Sequence, residues 1–496
     1  MQTIPPADFE ETGLDPENWE AFRSLGHQMI DDITDYLKNI SQSPVWKPMP
    51  DESKAFLDTA LPEEQRDAAE VYEDFKIHIF PYTKGNIHPR FWAWVQGTGV
   101  PTAVLADLLA SAMNPNVAIG EHAAMYVDSQ VLNWCKEMMG YEKSSSGMLV
   151  SGGSVANLTA LIVARNNKIP FVRRTGLYVS SRQPVIYASA QVHSCIDKAV
   201  EILGLGSENL RKIQVRPNYT IDTEALEGAI QADIAKGNMP FCIVACLGTV
   251  NTGAMDDLSA IRTIADKYNL WMHIDGAFGA LAVCSPDFAY LKSEIKLADS
   301  AAFDLHKWMY MPYEVGCVLV RDAHIHRNAF AMAPEYLLNH TQGLAAGPES
   351  YNNYGIELSR SFKALKVWMA IRNMGINKFK AVIHQNILQA RYLGELVNAA
   401  SQLELLASVS LNIVCYRYVR EDMDDVMLNE LNKNICMQLQ EQGIASPSST
   451  LLNGRYAIRV ANTNQRSRRE DFEVLVTESI RLGDALVEQV GGRSSL

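Results

Sequence analysis

The sequence predicts an α/β protein: a mainly parallel sheet in a large domain, with a helical segment before it and a small α+β domain after it. Three observations carry this expectation. From about residue 85, short apolar runs alternate with amphipathic stretches of helical period, as βαβ crossovers require. Each of those runs ends in glycine or polar residues, and open parallel sheets bind ligands beyond such strand ends. The 496 residues also exceed what one ordinary core holds. We expect the helical segment at residues 1–84, the large domain at 85–370 and the small domain at 371–496.

Taken in order, Asp15 is a candidate N-cap with Pro16 in the first turn, and Phe22, Leu25, Met29, Ile33, Tyr36 and Leu37 follow a helical period. A second helix is expected over 62–79, with Val71, Phe75 and Ile79 on one face. Both helices carry apolar stripes with little local sequence to cover them, so each needs a surface such as another subunit. "GMLVSGGS" (147–154) reads as a strand entering a turn and then the helix "VANLTALIVARNN". "PVIYASAQ" (184–191) is a strand followed by a helix starting near Ser194. "FCIVACLGTV" (241–250) and "LWMHIDGAFG" (270–279) are strands flanking the helix "LSAIRTIADKY". Beyond 370, "INKFKAVIHQNILQARYLGELV" is helical, and "LNIVCYRYV" and "RYAIRVAN" read as strands.

Composition narrows the function. With 47% apolar and 20% charged residues the chain has the composition of a soluble globular protein of enzyme size. A net charge of -13 leaves no basic footprint for nucleic acid or an anionic membrane. The run "RSRR" (466–469) reads as a solvated helix start. Eight cysteines lack CxxC pairs, and Cys242 and Cys246 share one strand face, which points to reduced buried thiols. The N-terminus lacks a signal-peptide pattern, and the apolar segment "VLADLLASAM" is broken by Asp107. A cytoplasmic protein is expected.

Four strand ends hold residues with chemical potential. "SGGSVAN" (151–157) can bring backbone N–H groups and a helix N-terminus to an anion, or form a plain tight turn. Asp275 ends an apolar strand and needs a partner, or caps a helix. His193 follows another strand, where a structural role is the commoner one. Lys307 follows an apolar run in "SAAFDLHKWMYMP" (300–312): either a surface lysine, or a desolvated one that loses its proton and becomes a nucleophile. Together these are what pyridoxal phosphate needs: a lysine, an anion cradle, a carboxylate for the ring nitrogen and a ring to stack on.

The sequence resembles the group II pyridoxal-phosphate amino-acid decarboxylases, which include aromatic L-amino-acid and glutamate decarboxylases. The carriers are "HPRFWAWV" (88–95), "SGGSVANLTAL" (151–161), "QVHSC" (191–195), "LGTVNTGAMDDL" (247–258), "HIDGAFGA" (273–280), "ADSAAFDLHKW" (298–308), "PEYL" (334–337) and "ELSRSFKALKVW" (357–368). They run in one order over roughly residues 15–470. The resemblance implies a fold-type I transferase with a seven-stranded-type sheet, binding pyridoxal 5'-phosphate. It implies Lys307 as the Schiff-base lysine, Asp275 as the ring-nitrogen partner, His193 as the stacking ring and Ala277 on the other ring face. Gly153, Ser154, Thr249 and His306 are implied cofactor contacts, and no metal is. It further implies a homodimer with exchanged N-terminal segments and shared active sites.

Three departures stand out. Relatives usually read Asn-Pro-His-Lys where this chain reads Asp304-Leu305-His306-Lys307, and an aspartate beside a phosphate repels it unless turned away, protonated or paired. Phe278 replaces a frequent tyrosine or tryptophan. Val250 removes one hydroxyl from Gly248-Thr249-Val250.

For the reaction, the resemblance assigns protonation of the substrate α-carbon to Tyr336, on a small, polar, glycine-bearing loop suited to a lid. Aldehyde-forming relatives usually lose this tyrosine or the stacking histidine; Tyr336 and His193 are both present, so decarboxylation is expected. Trp94 and Val95 match a substrate wall, no arginine or lysine follows them to Gly97, and Ser359 matches a position that leans toward phenolic side chains. An aromatic L-amino acid is the expected substrate. A non-aromatic amino acid, an aldehyde synthase and a non-catalytic scaffold relative are the alternatives.

Overall fold

A computed structural model describes residues 12–177, 182–332, 342–348 and 350–493. The chain forms two compact units, one of Met1–Ser43 with Pro48–Thr83 and one of Pro44–Lys47 with Lys84–Leu496.

In the first unit, helices span Trp19–Asn39, Asp51–Leu57 and Ala68–His78. The first starts later than Asp15 predicts. Asn18 is the cap, its Oδ1 accepting from the backbone N–H of Glu20 and Ala21, each at 3.0 Å. The third is shorter than 62–79 because Asp67 caps it, accepting from Ala69 N at 2.8 Å. No residue of Trp19–Asn39 is fully buried; on its apolar stripe Phe22 is exposed, while Leu25, Met29, Ile33, Tyr36 and Leu37 are half-buried.

The second unit is built on a seven-stranded sheet: β1 (Ser146–Val150), β2 (Pro184–Ser189), β3 (Leu210–Ile213), β4 (Met239–Cys246), β5 (Trp271–Asp275), β6 (Ser300–Asp304) and β7 (Gly316–Val320). Their spatial order is β1-β7-β6-β5-β4-β2-β3. All pairings are parallel except those of β7, which runs antiparallel to β1 and β6. Alternate strand residues face opposite layers, as a period of two demands. Leu149, Tyr187, Ile243, Ile274 and Phe303 enter one core. Met148, Ile186, Val244, Ala302 and Val318 enter the other, under the helices Gly153–Lys168 and Ser194–Ile202, and Cys242 and Cys246 lie on this same face.

A four-stranded antiparallel sheet follows, from β8 (Leu403–Leu405), β9 (Ile413–Tyr418), β10 (Ser448–Leu452) and β11 (Arg455–Ala461), in the order β10-β11-β9-β8. Helices Ile376–Ala399, Asp425–Glu441 and Arg469–Arg493 accompany it. The last begins beyond most of the basic run, and Arg466 is not solvated as expected: its Nη1 donates to Thr98 O at 2.8 Å. All eight cysteines are buried and unpaired. Among the described residues no helix is long and apolar enough to cross a membrane, and no acidic, histidine or cysteine cluster could hold a metal.

Candidate active site

Sheet register brings distant residues to one place. Cys246 pairs with Asp275, Asp275 with Ala302, and Asp304 with Gly316, which also faces Val150. The ends of β1, β4, β5 and β6 therefore open side by side, onto a cavity of about 520 Å³. Lys307, His193, Asp275, Ala277, Gly153, Ser154, Thr249, His306, Trp94 and Val95 all line it. Ser359 is exposed and does not. Tyr336 lies outside the described residues.

The glycine turn leaves room that any side chain would fill. A Cβ on Gly152 would sit 3.0 Å from His306 Cε1, and one on Gly153 2.9 Å from Asp304 Oδ2. Gly152 precedes the helix Gly153–Lys168 without a side-chain cap, leaving first-turn N–H groups for an anion. His306 Nδ1 accepts from Val315 N at 3.1 Å, and burial lowers the ring's proton affinity. The neutral ring then carries its proton on Nε2. His193 follows the same logic: its Nδ1 accepts from Cys195 N at 3.1 Å, and burial keeps it neutral. It is also the N-cap of the helix Ser194–Ile202, so its structural and chemical readings coincide in one geometry.

Asp275 is buried; Oδ1 accepts from Ala277 N at 3.2 Å and Oδ2 lies 4.0 Å from the Cys195 thiol. Behind it runs a buried polar chain that motif reading missed. Asn157 Nδ2 donates to Cys195 Sγ at 3.5 Å, Asn157 Oδ1 meets His273 Nε2 at 2.7 Å, and His273 Nδ1 meets Ser300 Oγ at 2.9 Å. Burial pushes His273 down to about 3, so it is neutral and orients its neighbours. The alternation of "HID" on one strand was the available signal.

Lys307 differs from the simple desolvation expectation. Burial opposes its charge, but the Asp304 carboxylate, 2.9 Å from Nζ, and the Asp275 carboxylate outweigh it and hold the amine above the usual lysine range. Asp304 is 1% exposed. It is the paired case among those open to an aspartate at this position.

The cavity wall at Trp94 is held by a second missed residue. Trp94 has φ of 55° and an exposed ring, with Lys84 Nζ 4.3 Å from the ring centre. A left-handed tryptophan is a strained conformer that surroundings must impose. Buried Arg459 of β11 imposes it, donating to Trp94 O at 3.0 Å, Asn251 O at 3.1 Å and Val250 O. At 365 residues from Trp94 in sequence, Arg459 left no local signal.

The turn, the neutral Nε2–H of His306, the buried carboxylate of Asp275 and Lys307 thus fit a phosphorylated pyridine aldehyde. The model of the pyridoxal-dependent decarboxylase conserved domain matches residues 50–419. An aromatic-L-amino-acid decarboxylase of Bacillus atrophaeus is 33% identical over 457 residues, covering 91% of this chain and 93% of that protein. A phenylacetaldehyde synthase of a Rosa hybrid cultivar is 28% identical, covering 90% of each. Among solved structures, Oryza sativa TDC with PLP and tryptamine superposes with a TM-score of 0.88 at 24% identity, over 96% of this chain and all of that one.

Proposed function

The chain belongs to the pyridoxal-dependent decarboxylase family, as a fold-type I enzyme using pyridoxal 5'-phosphate, and from that premise we propose that its substrate is an aromatic L-amino acid, released as the amine and CO2. Bound at Lys307, the cofactor supplies an electron sink for the bond broken at the substrate α-carbon. Asp275 keeps a proton on the ring nitrogen, because an adjacent buried carboxylate favours the cationic form. The first-turn N–H groups at Gly153 and Ser154, with Nε2–H of His306 and Thr249, hold the phosphate. His193 and Ala277, which both line the cavity, would hold the ring. Tyr336 delivers the proton to the α-carbon after CO2 leaves.

The observation that carries the substrate class is the cavity's charge. Among its described lining residues there is no arginine, and Lys307 is the one lysine. A distal carboxylate there would lack a counter-charge, whereas Trp94 and Val95 offer an apolar wall. Incubation with a panel of L-amino acids, measuring CO2, amine and aldehyde, tests this. Amine from an aromatic substrate is expected; preferred turnover of glutamate would refute the substrate class. Aldehyde with ammonia and peroxide would favour the second reading, an aldehyde synthase, raised by the likeness to the phenylacetaldehyde synthase.

We further propose a homodimer with shared active sites, in the cytoplasm. The dimer is supported by apolar side chains left about half exposed on the helix Pro101–Met113 (Leu105, Leu108, Leu109 and Met113) and by the exposed Trp19 and Phe22 of the helix Trp19–Asn39. The compartment is supported by the eight unpaired thiols.

A further inference from the structure

We propose that Cys195 is a positioning residue for Asp275: its thiol is the last donor of a one-way hydrogen-bond chain that starts at the Trp271 indole and fixes the carboxylate for the cofactor's ring nitrogen. The inference rests on the reading above, that Asp275 meets that nitrogen.

Six buried side chains take part. Trp271 Nε1 lies 2.9 Å from Ser300 Oγ, which lies 2.9 Å from His273 Nδ1. His273 Nε2 is 2.7 Å from Asn157 Oδ1, Asn157 Nδ2 is 3.5 Å from Cys195 Sγ, and Cys195 Sγ is 4.0 Å from Asp275 Oδ2. The fold supplies the frame. Trp271, His273 and Asp275 alternate along β5 with Met272 and Ile274, which enter the opposite core. His273 pairs with Ser300 of β6, and Asn157 and Cys195 come from the helices Gly153–Lys168 and Ser194–Ile202.

The direction of every link follows from the Asp275 end. An ionised carboxylate has no hydrogen to give, so the contact between Cys195 and Asp275 is filled by S–H. With the thiol hydrogen committed, the contact between Asn157 and Cys195 takes an amide N–H. That turns Asn157 Oδ1 toward His273, whose Nε2 then carries the ring proton, and Nδ1 accepts from the Ser300 hydroxyl. Ser300 Oγ in turn accepts from Trp271. An indole can only donate, so the far end of the chain agrees with an order deduced from the near end. Run the other way, the chain would set the sulfur against the carboxylate with no hydrogen between them. Burial holds His273 neutral, with the single ring proton this order requires. Burial and the Asp275 charge hold the Cys195 thiol above its usual range, so its proton stays on sulfur.

The consequence falls on Asp275. Its Oδ1 accepts from Ala277 N at 3.2 Å and its Oδ2 from Cys195, so both oxygens are held. Asn157, Cys195 and Asp275 all line the cavity, so the last two links end at its wall. A thiol is a weak donor: it orients the carboxylate while leaving most of its charge for the ring N–H. Without the thiol the carboxylate is a stronger acceptor, and the ring proton is drawn toward it.

The test uses the full-length chain, cofactor-free and loaded. In the cofactor-free chain, the infrared S–H stretch should include a hydrogen-bonded band that is missing from Cys195→Ala. In Asp275→Asn, whose amide is the weaker acceptor, that band should move toward the free-thiol position. Nitrogen-15 NMR of ring-labelled histidine should find His273 as the Nε2–H tautomer, its signals identified by their absence from His273→Gln. This tautomer is read in the parental chain, so it tests the order of the links even if Cys195→Ala fails to fold. With ring-¹⁵N pyridoxal 5'-phosphate bound, the ring-nitrogen resonance should move toward the unprotonated-pyridine position in Cys195→Ala. It should move no further in Cys195→Ala/Asn157→Leu, because a chain cut at its last link loses nothing more at an earlier one. A His273 proton on Nδ1, an S–H band indifferent to Asp275→Asn, or a ring-nitrogen resonance unmoved in Cys195→Ala would each overturn the proposal. Failure of the underlying reading looks different: the parental ring nitrogen would already resonate as an unprotonated pyridine, while the tautomer and the S–H band of the cofactor-free chain stay as expected.

Discussion

Replacing Arg360 by methionine should destabilise the protein by about 3–5 kcal/mol, the usual cost of removing one partner from a buried ion pair. Arg360 is 4% exposed and Asp128 is fully buried, with Nη2 3.5 Å from Asp128 Oδ2. Burial raises the Asp128 carboxyl above the usual range, and Arg360 is the cation in contact that opposes the shift. The same guanidinium donates to Val117 O at 2.6 Å and Leu149 O at 2.9 Å, and lies 4.5 Å from the centre of the Tyr351 ring. Methionine keeps much of the stem's volume, so the loss is of charge and hydrogen bonds rather than packing. Urea unfolding of the holoenzyme at one chain concentration, followed by circular dichroism, measures it. The double variant Arg360→Met/Asp128→Asn should be more stable than Arg360→Met alone, because its second change removes the stranded charge. A coupling of at least about 1 kcal/mol is expected between contacting residues of this kind. A single-variant loss below about 1 kcal/mol, or strict additivity in the double variant, would refute the reasoning.

Borohydride reduction of the yellow holoenzyme should fix the cofactor on the peptide containing Lys307, and a label on a different lysine would reject that assignment. Tyr336→Phe should slow amine formation and divert turnover to aldehyde, ammonia and peroxide in air; amine at the parental rate would show that Tyr336 is not the acid. His273 is held near 3 in the fold against an ordinary 6.5, so between those values the unfolded chain binds more protons and stability falls as pH falls. The loss is about 1.4 kcal/mol per pH unit below 6.5, and His273→Gln should flatten the pH 5.5–7.5 stability slope; an unchanged slope counts against it. Light scattering across dilution, alongside activity, should show the dimer and its turnover disappearing together, and a fully active monomer would contradict shared sites.

Much of the candidate site could be read from the chain because the residues that line the cavity sit at strand ends, where periodicity stops and polar residues become conspicuous. Asp275, His193, the glycine turn and Lys307 each follow an apolar run, and parallel pairing aligns such ends. The direction of β7 was less apparent, although only eleven residues, Leu305–Val315, separate it from β6, too short for a full parallel crossover. The ion pair of Asp304 with Lys307 had a local signal in its i,i+3 spacing on a helical turn. It was hidden because the motif drew attention to the phosphate rather than to the lysine. Asn18 outcompeted Asp15 as a cap through neighbouring N–H geometry that residue type alone does not rank. Arg459 and Arg360 were beyond reach, since each acts on carbonyls more than two hundred residues away.

The Arg459 clamp has a bearing on how this protein can be recombined. One side chain of the four-stranded sheet fixes the backbone at Trp94 and at Val250–Asn251, so three segments scattered along the chain are inherited as a single module. A chimera that imports a foreign C-terminal sheet while keeping residues 94–97 and 248–251 would inherit a wall without its anchor, and the left-handed tryptophan would relax out of place. Grafts drawn to include all three segments would carry the shape of the pocket with them, and crossover points chosen from sequence continuity alone would cut through it.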